Sequence, residues 1–250
     1  MTHPVVQITS QLILAGDLAG AEEALVSIAD AEGDTALVAV LDQIPAKDLL
    51  AVMREFDASR ESVINMVITP DQFARAIILE QKYRDRTHEP LRGMINAVIH
   101  RESETAGEYL EAIGEIEDGY GVLADYFADR FDEVLDFALT GSFGEDFGAE
   151  SAMENKTVTW LSEKIDEIDE ALHHGDAIND VRPKCSRSEV ADGDWMETAW
   201  VLRHEHPDIF EQIIILLRDR MYRLTQAEDQ IVHPKPVARD EMADDEESAI

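Results

Sequence analysis

Apolar residues recur at spacings of three and four along most of this chain and almost nowhere alternate strictly over the length of a strand. Such spacing places apolar side chains on one face of an α-helix, whereas alternation would place them on one face of a β-strand. Each apolar stripe is short and ends at a glycine, a proline or a polar turn. The sequence therefore predicts an all-α fold of short helical hairpins packed as a superhelix or an irregular bundle.

The clearest predicted helix start lies at residues 69–72. The hydroxyl of Thr69 is placed to accept a hydrogen bond from the first turn, and Gln72 is placed to reach back to the backbone of Thr69. Pro70 suits the first helical position, because an N–H there would have no partner within the helix. A capped helix is therefore predicted to begin at Pro70.

Other turn residues divide the N-terminal part of the chain into further helices. Gly16 predicts the end of one helix, and the Asp17 carboxylate is placed to cap the next. Pro45 marks a start related to that at Pro70, and between these two Ser59 is expected to cap a helix that contains Ile64. Three helices of about ten residues are thus expected to follow one another.

Short proline-started helices joined by tight turns are typical of helical repeats, because each amphipathic helix buries its stripe only against its neighbours. Residues 34–79 resemble the cytosolic N-terminal domain of MgtE-type magnesium transporters in the motifs Ile44-Pro45, Leu49-Leu50 and Thr69-Pro70-Asp71. The resemblance implies a superhelix of short helices and a response to divalent cations. It does not extend to the transmembrane part of that family.

The later part of the chain is divided by a glycine-rich and serine-rich stretch. The predicted organisation is a helical-hairpin domain at 1–140, a loop or linker at 141–156, a C-terminal helical subdomain at 157–229 and a disordered acidic tail at 230–250. Within the subdomain, Asp194 opens a helix that is expected to end at His206, because a residue before proline disfavours helical backbone.

Acidic residues dominate the charge of the chain. Its 54 Asp and Glu residues against 21 Lys and Arg give a formal net charge of −33. A surface of this sign repels nucleic acid and anionic membranes and attracts basic proteins, so the predicted partner is a protein with a basic surface. Adaptation to high salt is the alternative, and under it the charge carries no functional message.

The sequence also constrains the compartment. Cys185 is the only cysteine, so no intrachain disulfide is possible, and a reducing cytoplasmic location is the simpler interpretation. The longest apolar runs are far shorter than the roughly 20 residues of a membrane-spanning helix. The N-terminus lacks the basic segment of a signal peptide. We therefore expect no membrane insertion.

Four residues in the C-terminal part are candidate metal ligands. Glu170 and His173 lie three apart on one face of a predicted helix, and the hypothesis places His204 and His206 opposite them. A di-iron bundle would need the Glu-x-x-His spacing twice, and it occurs once. The alternative is that these imidazoles interact with the negative ends of helices.

The densest acidic field before the tail lies between Glu102 and Asp136. Three interpretations apply to it: a solvated helix face, a docking surface for a basic protein, and a site for Mg²⁺ or Ca²⁺, for which no EF-hand spacing is present. The predicted interaction surface consists of Glu108, Glu111, Glu115, Asp125, Asp129, Asp132 and Glu133.

The sequence thus predicts a non-enzymatic protein-interaction module that acts as an adaptor, an assembly factor or a chaperone-like protein. The alternative is a divalent-cation-responsive regulatory module, and a metal-dependent enzyme is the third interpretation. No catalytic residue and no organic cofactor is predicted. A homodimer through the apolar seam of residues 161–172 stays an alternative to packing of that seam on the helix at 209–224.

Overall fold

The structure, a computed structural model, describes residues 3–55, 62–83, 89–101, 104–141, 143 and 194–232. These residues form twelve α-helices, one short 3-10 helix and no strand, so the predicted all-α fold is confirmed for the described part of the chain. The helices are α1 (Pro4–Leu14), α2 (Leu18–Glu32), α3 (Asp34–Leu41), α4 (Ala46–Glu55), α5 (Val63–Val67), α6 (Pro70–Tyr83), α7 (Glu89–Ile99), α8 (Ala106–Glu115), α9 (Gly119–Tyr126), α10 (Phe131–Thr140), α11 (Asp194–Glu205) and α12 (Pro207–Val232), with the 3-10 helix at Ala128–Arg130.

The predicted cap of α6 is present and has a second role. The Thr69 N–H donates to Gln72 Oε1 at 3.1 Å, and the Gln72 N–H donates to Thr69 Oγ1 at 3.4 Å. The side-chain amide of Gln72 also donates to the carbonyl of Val38 at 3.1 Å and to Asp42 Oδ1 at 2.7 Å. This buried glutamine therefore joins the start of α6 to the end of α3.

Two further predicted boundaries are confirmed. Gly16 adopts a positive φ of 80° after α1, a conformation that glycine reaches without steric cost. Asp17 Oδ1 then accepts from the Gly20 N–H at 2.9 Å and caps α2. Helix α4 begins at Ala46, directly after Pro45.

The cap predicted at Ser59 is wrong, because Ser62 caps α5. The Ser62 backbone is extended, with a ψ of 132°, and its hydroxyl accepts from the Ile64 N–H at 3.2 Å. Helix α5 has only five residues, about half the expected length. Ser59 itself lies outside the described residues.

Helix α6 lies at the centre of the packing and contacts α4, α7, α8 and α9. Helix α12 packs on α9, α10 and α11, and α11 also packs on α8. Side chains from both ends of the chain, such as Leu25, Phe73 and Ile213, belong to one buried apolar core. The two C-terminal helices thus share a core with the N-terminal helices.

The predicted linker and tail fall mainly outside the described residues. Of residues 141–193 the structure describes Gly141 and Phe143, and Phe143 stacks on Phe137 with ring centroids 4.1 Å apart. Helix α12 runs to Val232, so the first three residues of the predicted tail, 230–232, are helical.

The turn between α8 and α9 depends on Gly119. Asp118 precedes it with a φ of 70°, and a Cβ added at Gly119 would lie 1.6 Å from the carbonyl oxygen of Ile113.

We expect Gly119→Ala to lower the free energy of unfolding by about 1–3 kcal/mol in urea denaturation, because a backbone atom must move. Gly93→Ala in α7 is the control: nothing lies within 4 Å of the added Cβ, and the helix is expected to be stabilised slightly. Equal stability of Gly119→Ala and wild type would contradict this turn geometry.

Candidate functional site

Three exposed glutamates form an acidic ridge along α8. Glu108, Glu111 and Glu115 follow one another at spacings of three and four, so they share one face of the helix. The opposite face is buried through side chains such as Leu110 and Ile113. The core therefore fixes the orientation of this ridge, which we call the α8 ridge.

Helix α8 approaches the start of α12 closely because it carries small residues there. A Cβ added at Gly114 would lie 2.5 Å from Cδ1 of Ile209, a buried residue of α12. At the other end of α8, a Cβ at Gly107 would lie 2.3 Å from Oε2 of Glu205. The glycines thus allow the buried side of α8 to sit against the C-terminal helices while the α8 ridge faces outward.

A groove with a volume of about 640 Å³ lies beside the C-terminal end of the α8 ridge. It is lined by Asp42, Thr69, Asp71, Ala74, Arg75, Ala112, Glu115 and Ile116. Three carboxylates and one guanidinium group therefore border small apolar side chains from α6 and α8.

Arg75 is the cationic side chain of this groove. Its Nη2 lies 3.5 Å from Asp42 Oδ1, and its Nε donates to the carbonyl oxygen of Asp71 at 3.2 Å. Both partners of the ion pair are more than half exposed, at 53% and 58%. Such exposed pairs contribute little stability, so the Asp42 carboxylate is available to another cation at small cost.

The remaining acids of the predicted interaction surface have different environments. Asp129 is exposed, and its Oδ2 accepts from Arg92 Nη1 at 3.1 Å. Asp125 is 2% exposed and accepts from Arg220 Nη2 at 2.5 Å and from Gln81 Nε2 at 3.1 Å. Its carboxylate therefore joins α6, α9 and α12 inside the protein.

Asp132 and Glu133 form an adjacent carboxyl pair in the first turn of α10. Asp132 is buried, and the side chain of Glu133 is 12% exposed and accepts from Arg130 Nη1 at 3.3 Å. Burial, followed by the hydrogen bond and the negative charge of Asp132, raises the pKa of Glu133 from 4.5 to about 7. This pair is thus the part of the predicted surface that titrates near neutral pH.

The carboxyl pair makes stability depend on pH in a defined direction. Between about pH 5 and about pH 7 the folded protein keeps a proton on Glu133 that the unfolded chain has released, so stability from this group falls as pH rises. Glu133→Gln is neutral at every pH, and its stability relative to wild type is expected to increase from pH 5 to pH 8 in urea denaturation. Glu111→Gln controls for the loss of one exposed charge. A constant difference between Glu133→Gln and wild type over this range would contradict the raised pKa.

Two of the four candidate metal ligands lie in the described residues. The Nδ1 of His204 lies 2.8 Å from the carbonyl oxygen of Trp200, a contact that needs a proton on Nδ1. The other ring nitrogen, Nε2, is buried, and no described residue hydrogen-bonds to it. His206 follows α11, and its Nε2 would lie 3.2 Å from a Cβ at Gly107.

Glu170 and His173 lie outside the described residues, as does the apolar seam at 161–172. Among the described residues no group of three or more His, Cys, Asp and Glu side chains is arranged to hold a metal ion. The four-residue metal site and the homodimer seam therefore stay predictions.

A buried polar cluster that the sequence analysis missed joins α7, α9 and α11. Its members are Asn96, His100, Tyr126, Glu197 and Thr198. The hydroxyl of Thr198, the imidazole of His100 and the carboxylate of Glu197 are arranged in the order of a hydrolase triad. Thr198 is fully buried, however, so a substrate has no access to this hydroxyl in the structure.

Arg203 provides a further contact that sequence reasoning missed. Its Nη1 donates to the carbonyl oxygens of Phe137 at 2.5 Å and Ala138 at 2.7 Å, in the last turn of α10. Its guanidinium lies 5.2 Å from the ring centroid of Phe137, and burial lowers the pKa of Arg203. The sequence shows that Arg203 lies in the last turn of α11. It does not show that the guanidinium of Arg203 binds the end of α10.

Of the described helices, none combines the length and the apolar composition that a bilayer crossing requires. Comparisons of the chain with protein-family models, with curated proteins and with solved structures give no match. The α8 ridge with its neighbouring groove is therefore interpreted from its own chemistry.

Proposed function

We propose that this protein is a non-enzymatic interaction module that acts in the cytoplasm and binds a partner protein with a basic surface. The α8 ridge is the observation that carries the proposal. Its three glutamates are exposed on one face of a helix whose opposite face is held by the core. Ion pairing of these carboxylates is absent among the described residues, so they keep their charge toward an approaching cation.

The groove beside the ridge suits lysine and arginine side chains. Ala74 and Ala112 can contact the methylene stem of such a side chain, while Asp71 and Glu115 border its charged end. A long basic side chain thus finds apolar contact and a carboxylate in the same place. The net charge of −33 adds long-range attraction that accelerates encounter at low salt.

We expect the triple variant Glu108→Gln, Glu111→Gln, Glu115→Gln to bind a labelled octa-arginine peptide about tenfold more weakly than wild type. Each surface ion pair contributes roughly 0.2–1 kcal/mol to the binding free energy. The loss of three such pairs therefore approaches the roughly 1.4 kcal/mol of a tenfold change in affinity. Binding is measured by fluorescence anisotropy at about 0.05 M and at about 0.3 M NaCl. We expect tighter binding at the lower salt concentration, because charges are screened less there.

The matched control also removes three negative charges, but from exposed positions on α2. The variant is Glu23→Gln, Asp30→Asn, Glu32→Gln. Helix α2 packs mainly on α1, α3, α4 and α5, whereas α8 packs mainly on α6, α7, α9 and α11, so we expect at most about a threefold loss of peptide affinity. An equal loss in both triple variants would show attraction to overall charge only. That result would favour salt adaptation as the reason for the acidic composition and would contradict the proposed docking surface.

A thermal unfolding series distinguishes this function from the divalent-cation-responsive module. We expect MgCl₂ and NaCl at matched ionic strength to raise the Tm of the chelator-treated protein equally, because both salts screen repulsion between exposed carboxylates. A larger rise with Mg²⁺ would indicate specific binding to the folded state. That result would favour the cation-responsive module implied by the resemblance of residues 34–79.

A further inference from the structure

Helix α1 differs from the other described helices in its charge. Residues 4–16 contain no Asp, Glu, Lys or Arg, whereas these four residue types make up 30% of the whole chain. Apart from the short helix α5, every other described helix contains at least one charged residue. In a chain with a net charge of −33, a complete helix of neutral side chains is therefore a distinct kind of surface.

One side of α1 is exposed. The helix packs mainly on α2 and α4, which cover its other side. Ile8 is 48% exposed, and Leu14, at 81%, is the most exposed large apolar side chain in the described part of the chain. Two glutamines are exposed on the same side, because helical spacing brings them beside these apolar residues. We call this surface the α1 face, and it consists of Gln7, Ile8, Gln11 and Leu14.

The chemistry of the α1 face determines which occupant fits it. A basic partner would be matched by carboxylates and an acidic partner by cations, and the α1 face offers neither. Helices that lie on anionic membranes carry Lys and Arg beside their apolar residues, and α1 has none. The α1 face therefore fits a neutral surface that is partly apolar and that forms hydrogen bonds with glutamine.

A second copy of this chain presents such a surface. In a two-fold symmetric contact the same patch of each protomer meets its counterpart, so a charged residue near the axis would face its own like charge. The neutral α1 face avoids this repulsion. The side-chain amide of glutamine both donates and accepts, so Gln7 and Gln11 can pair with glutamines of the copy while Ile8 and Leu14 are removed from water.

We propose that two copies of this protein associate through their α1 faces as a two-fold pair of α1 helices. The α1 face is separate from the α8 ridge, because α8 packs mainly on α6, α7, α9 and α11. Helix α1 has 11 residues and is about 16 Å long, so the contact buries less than the roughly 800 Å² per partner of a standard interface. The association is therefore weak and depends on protein concentration.

Salt acts on this association in the direction opposite to its effect on binding of a basic peptide. Two copies that each carry a net charge of −33 repel one another, and added salt screens the repulsion. We expect the dimer fraction to rise between about 0.05 M and about 0.3 M NaCl, whereas attraction to a cationic peptide weakens over the same range.

The test is sedimentation velocity of the full chain between about 10 μM and about 1 mM protein at both salt concentrations. We expect a monomer–dimer equilibrium in the wild type. Ile8→Glu with Leu14→Glu places two carboxylates on each α1 face and should weaken dimerisation at least tenfold, because like charges then meet at the axis. Gln11→Glu is a nearly isosteric second variant that adds one such charge and should also weaken the dimer.

The matched control adds the same charge elsewhere. Met66→Glu with Tyr222→Glu also places two carboxylates at exposed apolar positions, on α5 and α12. We expect the control to keep the dimerisation constant within about threefold of wild type, since charges away from the contact are screened at about 0.3 M NaCl. An equal loss in both double variants would show general charge repulsion and would overturn the α1 contact.

Two further results would overturn the proposal. One is a wild-type protein that stays monomeric up to about 1 mM at both salt concentrations. The other is a dimer that Ile8→Glu with Leu14→Glu and Gln11→Glu leave unchanged. Co-sedimentation with phosphatidylcholine vesicles examines a lipid surface as the occupant, and a monomer that pellets with these vesicles through Ile8 and Leu14 would assign the α1 face to lipid instead.

Discussion

The buried carboxylate of Asp125 is the interaction on which the arrangement of helices most depends. It receives Arg220 from α12 and Gln81 from α6, and Arg220 also donates to the carbonyl of Ala124 at 2.9 Å. A buried charge is tolerated only when a partner of opposite sign and further hydrogen bonds replace water. The apolar stripes of short helices permit several packings, whereas this carboxylate is satisfied only when α6, α9 and α12 meet at one place.

Internal pairing of this kind also explains how the acidic charge is distributed. Within the described residues, three buried acids form ion pairs with Lys or Arg: Asp48 with Lys47, Glu80 with Arg54 and Asp125 with Arg220. Basic residues are scarce in this chain, with 21 against 54 acids. The Lys and Arg side chains in these pairs are held by buried carboxylates, whereas no described Lys or Arg forms an ion pair with the three glutamates of the α8 ridge.

The sequence was sufficient to predict features that depend on neighbouring residues. The α6 cap, the Gly16–Asp17 turn and the break before Pro207 each involve residues within a few positions of one another, so their chemistry is visible in the linear chain. Even there, the predicted cap Ser59 is wrong, because Ser62 caps α5 and its extended backbone brings the hydroxyl to the first turn.

Contacts between distant residues could not be predicted in the same way. Periodicity shows which face of a helix a residue occupies but does not identify the opposing side chain, and Asp125 and Arg220 are 95 positions apart. Sequence charge alone therefore assigned Asp125 and Asp132 to the same surface as Glu108, although both are buried and Glu108 is exposed.

A binding surface needs charges that are both exposed and held in place. Helix α8 meets both conditions, because α6, α9 and α11 pack on it while its glutamates face outward, so a partner need not order the helix upon binding.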